Sequence, residues 1–124
     1  MRTTRTARIG LNEGSLLVVR INDGARQTLE DAAENLSAAV AETRGQRRPL
    51  LIDIRAAHPL DPEVRRHYSG LMLIAHFSAI ALLVEASPYG QMMGTVYVEM
   101  ARPGVPTQLF FDEAQATGWL NNYR

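Results

Sequence analysis

The chain has 124 residues, 46% hydrophobic and 21% charged, proportions that suit one folded domain with its own core and set disorder aside. Thirteen basic and thirteen acidic side chains cancel, so no long-range field gathers nucleic acid or an anionic membrane. Cysteine and lysine are both absent, which excludes disulfides, thiolate metal sites, a cysteine nucleophile and a Schiff-base lysine.

Residues 1–7 carry Arg2 and Arg5 with no apolar stretch behind them; a secretory signal is not expected, and the segment is read as flexible. Two short strands follow. Ala7–Leu11 leads into the turn residues Asn12, Glu13 and Gly14, and Ser15–Ile21 is an alternating run rich in Leu and Val. Asn22, Asp23 and Gly24 end it with turn chemistry. Thr28 stands where a helix cap belongs, with Glu30 and Asp31 in the first turn. Leu29, Ala32, Ala33, Leu36, Ala39 and Val40 recur at helical spacing and are expected to face inward, and Gly45 is a natural stop.

Pro49–Ile54 is a short apolar run with charges at its ends, the pattern of a central strand covered on both faces. Asp61 and Pro62 start a second helix, in which Val64, Tyr68, Leu71, Met72 and Ala75 share a face. Ala79–Val84 reads as another buried strand. The apolar window 69–84 is broken by Gly70, His76 and two serines, and falls short of the roughly 20 residues that span a bilayer. Ser87 and Pro88 repeat the cap-plus-proline signal. Residues 92–100 are ambiguous between helix and strand, and helix is the reading adopted. Thr107–Phe111 is a last strand, and Asp112 caps a terminal helix through Leu120. The order ββαβαβαβα implies a mixed α/β sheet with crossover helices in a single domain, 1–124.

Little catalytic chemistry stands out. No glycine-rich phosphate loop or nucleophile elbow occurs. His67 and His76 fall on opposite sides of a continuous helix and cannot share an ion there, His58 lies in a loop, and no metal-ligand spacing such as HExxH is present, so no metal and no cofactor is expected. Asp53 ends the central strand, where open α/β sheets place ligands. It could form a polar binding patch with Arg55 and His58; the plainer reading has Asp53 accept bonds from the next loop with Arg55 as its partner. Ser69, Ser78 and Ser87 could be modified or nucleophilic in principle, and Ser87 has the simpler explanation of a helix cap. Arg44, Arg47 and Arg48 suit a helix C-terminus as well as they suit a phosphate.

The apolar surplus says more. If the second helix runs on through Phe77, then Leu73 and Phe77 form an outer apolar pair and a candidate interface; if it ends near Gly70, both return to the core. Met72, Met92, Met93 and Val96 could line an apolar pocket, although core packing is the default.

Four segments then acquire a joint meaning: Thr28-Leu29-Glu30-Asp31, Arg47-Arg48-Pro49-Leu50-Leu51-Ile52-Asp53-Ile54-Arg55, Arg65-Arg66-His67-Tyr68-Ser69-Gly70 and Phe110-Phe111-Asp112-Glu113-Ala114. Together they resemble a bacterial family of uncharacterised proteins related to STAS and Sec14-like domains, with the SpoIIAA-like fold. The resemblance covers nearly the whole chain and implies architecture more than activity. In anti-sigma antagonists of the STAS type a partner kinase phosphorylates a serine that follows an Asp-ending strand. Here Asp53 matches the strand end, but Arg55-Ala56-Ala57-His58 follows, so that switch does not carry over. Sec14-like relatives hold lipids in a cavity that a chain of this length has little volume to build.

The function expected is a non-enzymatic regulatory or protein-interaction module in the cytoplasm, homodimeric, with no nucleic-acid partner and no transmembrane segment. A small apolar-ligand or lipid carrier is the alternative, and an enzyme using Asp53, Arg55 and His58 comes last.

Overall fold

The structure, a computed structural model, describes residues 2–12, 15–58, 61–68, 75–92, 95 and 105–124. Strands β1 (Arg2–Thr3), β2 (Ala7–Leu11) and β3 (Leu17–Ile21) pair antiparallel. Strands β4 (Arg48–Asp53), β5 (Phe77–Leu83) and β6 (Thr107–Phe110) then join β3 in parallel, so the six strands lie side by side in sequence order. The crossover from β3 to β4 contains helix α1 (Leu29–Glu42), that from β4 to β5 contains α2 (Pro62–Tyr68), and α3 (residues 88–92) follows β5. Helix α4 (Glu113–Leu120) and a short 3-10 turn (Asn121–Tyr123) end the chain. The mixed sheet with crossover helices is the expected one, lengthened by one strand at its start.

Side chains alternate across each strand and so feed two cores. Leu17, Val19, Leu50, Ile80 and Leu82 pack on one face with Ala38 and Ala39 of α1. Leu51, Ala79, Ala81, Leu83 and Phe110 fill the other with Ala116 and Leu120 of α4. Each fully buried Leu, Ile or Phe contributes about 1.5–3 kcal/mol, and β4 and β5 have such residues on both sides. The continuous apolar run of Pro49–Ile54 is therefore the mark of a strand with no wet face.

Local signals place the helices. Thr28 Oγ1 accepts from the Asp31 N–H while Asp31 accepts from the Thr28 N–H at 2.8 Å, a reciprocal capping box. Asp112 Oδ1 accepts from the Ala114 N–H at 2.7 Å and caps α4. Ser87 Oγ accepts from the Gly90 N–H at 3.0 Å, and residues 88–92 and 95 are helical. The helix reading thus holds at 92 and 95; the other residues between 93 and 100 lie outside the described residues. Gly90 is demanded by its neighbour, since a Cβ there would sit 2.1 Å from the Glu85 carbonyl oxygen. That close approach seats α3 on the end of β5.

Three expectations are corrected. Arg2 and Thr3, in the segment 1–7 read as flexible, join the sheet: Arg2 pairs opposite Ile9, Thr3 opposite Arg8, and the Arg2 guanidinium reaches Glu42 at 3.1 Å. The inner face of α1 is rotated from the apolar stripe. Leu29 is 45% exposed and Ala33 is exposed, while Asp31 and Asn35 are buried. The reason is the 4–6 turn that packs against them. Arg5 binds both Asp31 oxygens, its Nε at 2.7 Å, Thr4 donates to Asn35 Oδ1, and Asn35 Nδ2 donates to Thr6 Oγ1 at 2.8 Å.

The third correction concerns Phe77. It begins strand β5, is 0% exposed and packs in the α1-side core, so it is no part of an outer interface. Ala75 is exposed rather than inward. Of the two alternatives, the return of Phe77 to the core is the one that holds: residues 75 and 76 are helical and the extended chain starts at once after them. Leu73 and Met72 lie outside the described residues.

Candidate functional site

The C-terminal ends of parallel strands point toward one edge, where such sheets place their ligands. Arg20 near the end of β3 and Asp53 at the end of β4 are register partners, and both project to the α4 face. Arg20 Nη1 donates to Asp53 Oδ2 at 3.0 Å. Its Nη1 and Nη2 also form a fork on Glu113, in the first turn of α4, both at 2.9 Å. Arg55 closes the group, with its backbone N–H on Asp53 Oδ1 at 3.1 Å, Nε on the same oxygen at 3.0 Å and Nη2 on Oδ2 at 2.8 Å.

Two arginines and two carboxylates therefore neutralise one another. Hydrogen bonding from Arg20 holds the Glu113 carboxyl below its ordinary range, against a smaller effect of burial. At Asp53 burial pushes upward, but the Arg55 side chain and backbone, the Arg55 charge and Arg20 outweigh it, and the group lies low as well. Glu113 raises the Arg20 guanidinium and Asp53 raises that of Arg55. Both carboxylates stay ionised acceptors near neutral pH, the condition of groups that pin α4 to the sheet edge.

Asp53 and Arg55 thus meet as the plainer reading expected. His58 does not join them: among the described residues no hydrogen bond or ion pair links its side chain to either, and its backbone N–H donates to the Ala25 carbonyl. Arg20 and Glu113 were not singled out in the sequence. The only local sign was a charge inside the apolar β3 alternation. Arg48 Nε donates at 2.8 Å to the Thr43 carbonyl beyond α1, so it satisfies a helix end. Ser78 donates to the Tyr123 carbonyl at 2.9 Å. Among the described residues no group of three His, Asp or Glu side chains could hold a metal ion, and no helix is long and apolar enough to cross a membrane.

Beside Arg55 lies an open cleft of about 230 Å³, between the loops that follow β4 and β5. Ile54, Ala57 and Val84 line it with apolar surface, and Arg55, Glu85 and Tyr89 add polar and aromatic groups. Much of that space is open solvent, so the part the protein encloses is far smaller than the roughly 300–1,000 Å³ of common ligand pockets. Of the four residues expected to form an apolar pocket, Met92 is 59% exposed on α3, while Met72, Met93 and Val96 lie outside the described residues. Tyr89, 47% exposed, stands three residues before Met92, so the two share one face of α3.

Residues 9–124 match the model of a domain of unknown function, DUF7793. No curated protein matches the chain. Among solved structures, an uncharacterised protein of the DUF3478 family from Shewanella loihica PV-4, with a SpoIIAA-like fold, is 17% identical. The alignment covers 97% of this chain and 98% of that one, with a TM-score of 0.64. A protein of unknown function from Arthrobacter sp. FB24 is 22% identical over 97% of this chain and 96% of its own, with a TM-score of 0.37. The likeness to the Shewanella protein establishes a SpoIIAA-like fold, the architecture expected from the four segments.

Proposed function

The chain belongs to the DUF7793 family of domains of unknown function, and from that premise we propose that it is a non-enzymatic, cytoplasmic interaction module that works as a homodimer. The observation that carries this reading is the pair Tyr89 and Met92, two large apolar side chains adjacent on α3 and about half exposed. Single exposed apolar residues are common, but a Tyr beside a Met at a cleft rim has the composition of an interface centre. The polar groups that converge at the strand ends support the same view. Their charges are spent on one another, which suits a rigid platform more than proton transfer.

Light scattering tests the reading. The wild-type chain is expected to have twice its formula mass at high concentration, and Tyr89→Asp to be a monomer with an unchanged circular dichroism spectrum. A wild-type monomer at the highest attainable concentration would remove the dimer, and a dimer unaffected by both Tyr89→Asp and Met92→Asp would remove this face.

A further inference from the structure

Residues 2–6 read Arg-Thr-Thr-Arg-Thr, and none of them is apolar. The core on the α1 side begins only at Ala7. Charge and hydrogen bonding therefore seat this segment. Arg2 and Thr3 pair with just two residues of β2, and Arg2 Nε donates to Glu42 Oε1 at 3.1 Å. The Arg5 backbone N–H donates to Glu34 Oε1 at 3.0 Å. Its guanidinium holds both Asp31 oxygens and reaches the Arg26 carbonyl at 3.0 Å. Thr4 donates to Asn35 Oδ1, and Thr6 accepts from Asn35 Nδ2 at 2.8 Å. Asp31, Asn35 and Glu42 recur at four and seven residues, so with Glu34 they form one polar stripe along α1.

Such a seat is specific in geometry but lacks the force that holds the other strands. Burial of apolar side chains stabilises β2 to β5, and salt does not screen it. The Arg2 and Arg5 side chains are each more than half exposed, so dissolved ions compete for the cationic end of both pairs. Segments with few buried apolar contacts open at a lower free energy than the core. The groups that the segment leaves behind on α1 are polar and are rehydrated. Its departure also strips β2 of its outer neighbour. β2 then becomes the edge of the sheet, with N–H and C=O groups free to template another strand. Closed, the segment blocks that edge and covers the stripe.

We infer that residues 2–5 are an ionic strap: they open as one unit while the rest of the domain stays folded, and opening unmasks the β2 edge together with the acidic stripe of α1. Arg5 is the clasp, since its backbone and guanidinium join the segment to Asp31, Glu34 and the Arg26 carbonyl. Thr6 is the hinge. It is buried, its carbonyl accepts from the Asn22 N–H at 2.8 Å, and Asn35 holds its hydroxyl.

Amide hydrogen exchange of the whole chain, followed by NMR in about 0.1 M and about 1 M NaCl, tests this, because the Debye length falls from about 10 to about 3 Å between them. The reporters are the Thr4 N–H, bonded to the Ala7 carbonyl at 2.9 Å, and the Arg5 N–H, bonded to Glu34. After correction for intrinsic rates they are expected to share one opening constant, at least about tenfold above that of the β3 amides. That constant should rise about fivefold or more with salt, while the β3 and β4 amides change less than about twofold. Arg5→Gln should raise it about tenfold at the lower salt and flatten the salt response. Arg2→Gln, at an exposed side chain that leaves the fold intact, should raise it about twofold, and Arg44→Gln beyond α1 should leave it unaltered. Thr4 and Arg5 amides that open only with the core, that differ from each other by more than about tenfold, or that ignore salt would overturn the strap. A wild-type response in both Arg5→Gln and Arg2→Gln would overturn it as well.

Discussion

Phe77→Ala is expected to cost about 3–5 kcal/mol of folding stability, the range for emptying a well-packed aromatic site. The side chain is wholly buried at the start of β5 and packs with the residues that join the sheet to α1. Its ring also meets His76 edge-on, with centroids 6.4 Å apart. A domain of this size has only about 5–15 kcal/mol in total, so the variant should unfold at a much lower urea concentration, with an unchanged dependence on denaturant. The same substitution separates core from surface. Were Phe77 an outer-face residue, its loss would cost under about 1 kcal/mol and would alter association instead. A midpoint close to wild type would contradict the position assigned to it here.

The second large effect is at Asp31. Its carboxylate accepts from the Arg5 guanidinium, from the Thr28 N–H at 2.8 Å and from the Thr28 hydroxyl at 3.0 Å, while its own backbone N–H is capped in return. Asp31→Ala removes half of the capping box and leaves these donors without their acceptor, at a cost of about 2–3 kcal/mol. A pH dependence follows. The hydrogen bond from Arg5 holds the carboxyl well below its ordinary range, against a smaller opposing effect of burial. A group whose folded pKa is depressed contributes fully above its unfolded value, about 3.9, and loses that contribution as pH falls through the folded value. Asp53 and Glu113, also depressed, add in the same direction, Glu113 less because it is partly exposed. Urea-unfolding stability of the wild type should therefore be level from about pH 5 to 8 and fall steadily below about pH 4. In Asp31→Ala the acid fall should be shallower; parallel curves would show that the carboxylate does not titrate with folding.

Much of the architecture was legible because its signals are local. β3 follows from an alternating run, β4 from an apolar run without alternation, and α1 and α4 from Thr28 and Asp112, whose side chains reach only two or three residues ahead. The failures share the opposite property. β1 has two polar residues and exists because β2 offers it an edge. Asp31 and Asn35 turn inward because the 4–6 turn brings partners from far back in the chain, which no helical periodicity encodes. Phe77 satisfies a helical pattern and a strand pattern equally, and the neighbouring strand β4 decides between them. At the site, Asp53 and Arg55 could be paired from their spacing of two. Arg20 and Glu113 are 93 residues apart and meet only once the sheet is assembled. Tyr89 could not be recognised as exposed until α3 was seated by Gly90 against Glu85.

Hydrogen exchange of the wild-type chain, compared between dilute and concentrated solution, bears most directly on the use of the α3 face. Association there predicts slower exchange at high concentration, confined to the α3 amides from Tyr89 to Met92 and to the cleft loops at Ile54–Ala57 and Glu85. Exchange that is the same at both concentrations, or slowed instead along the β6 edge with α3 unchanged, would contradict it.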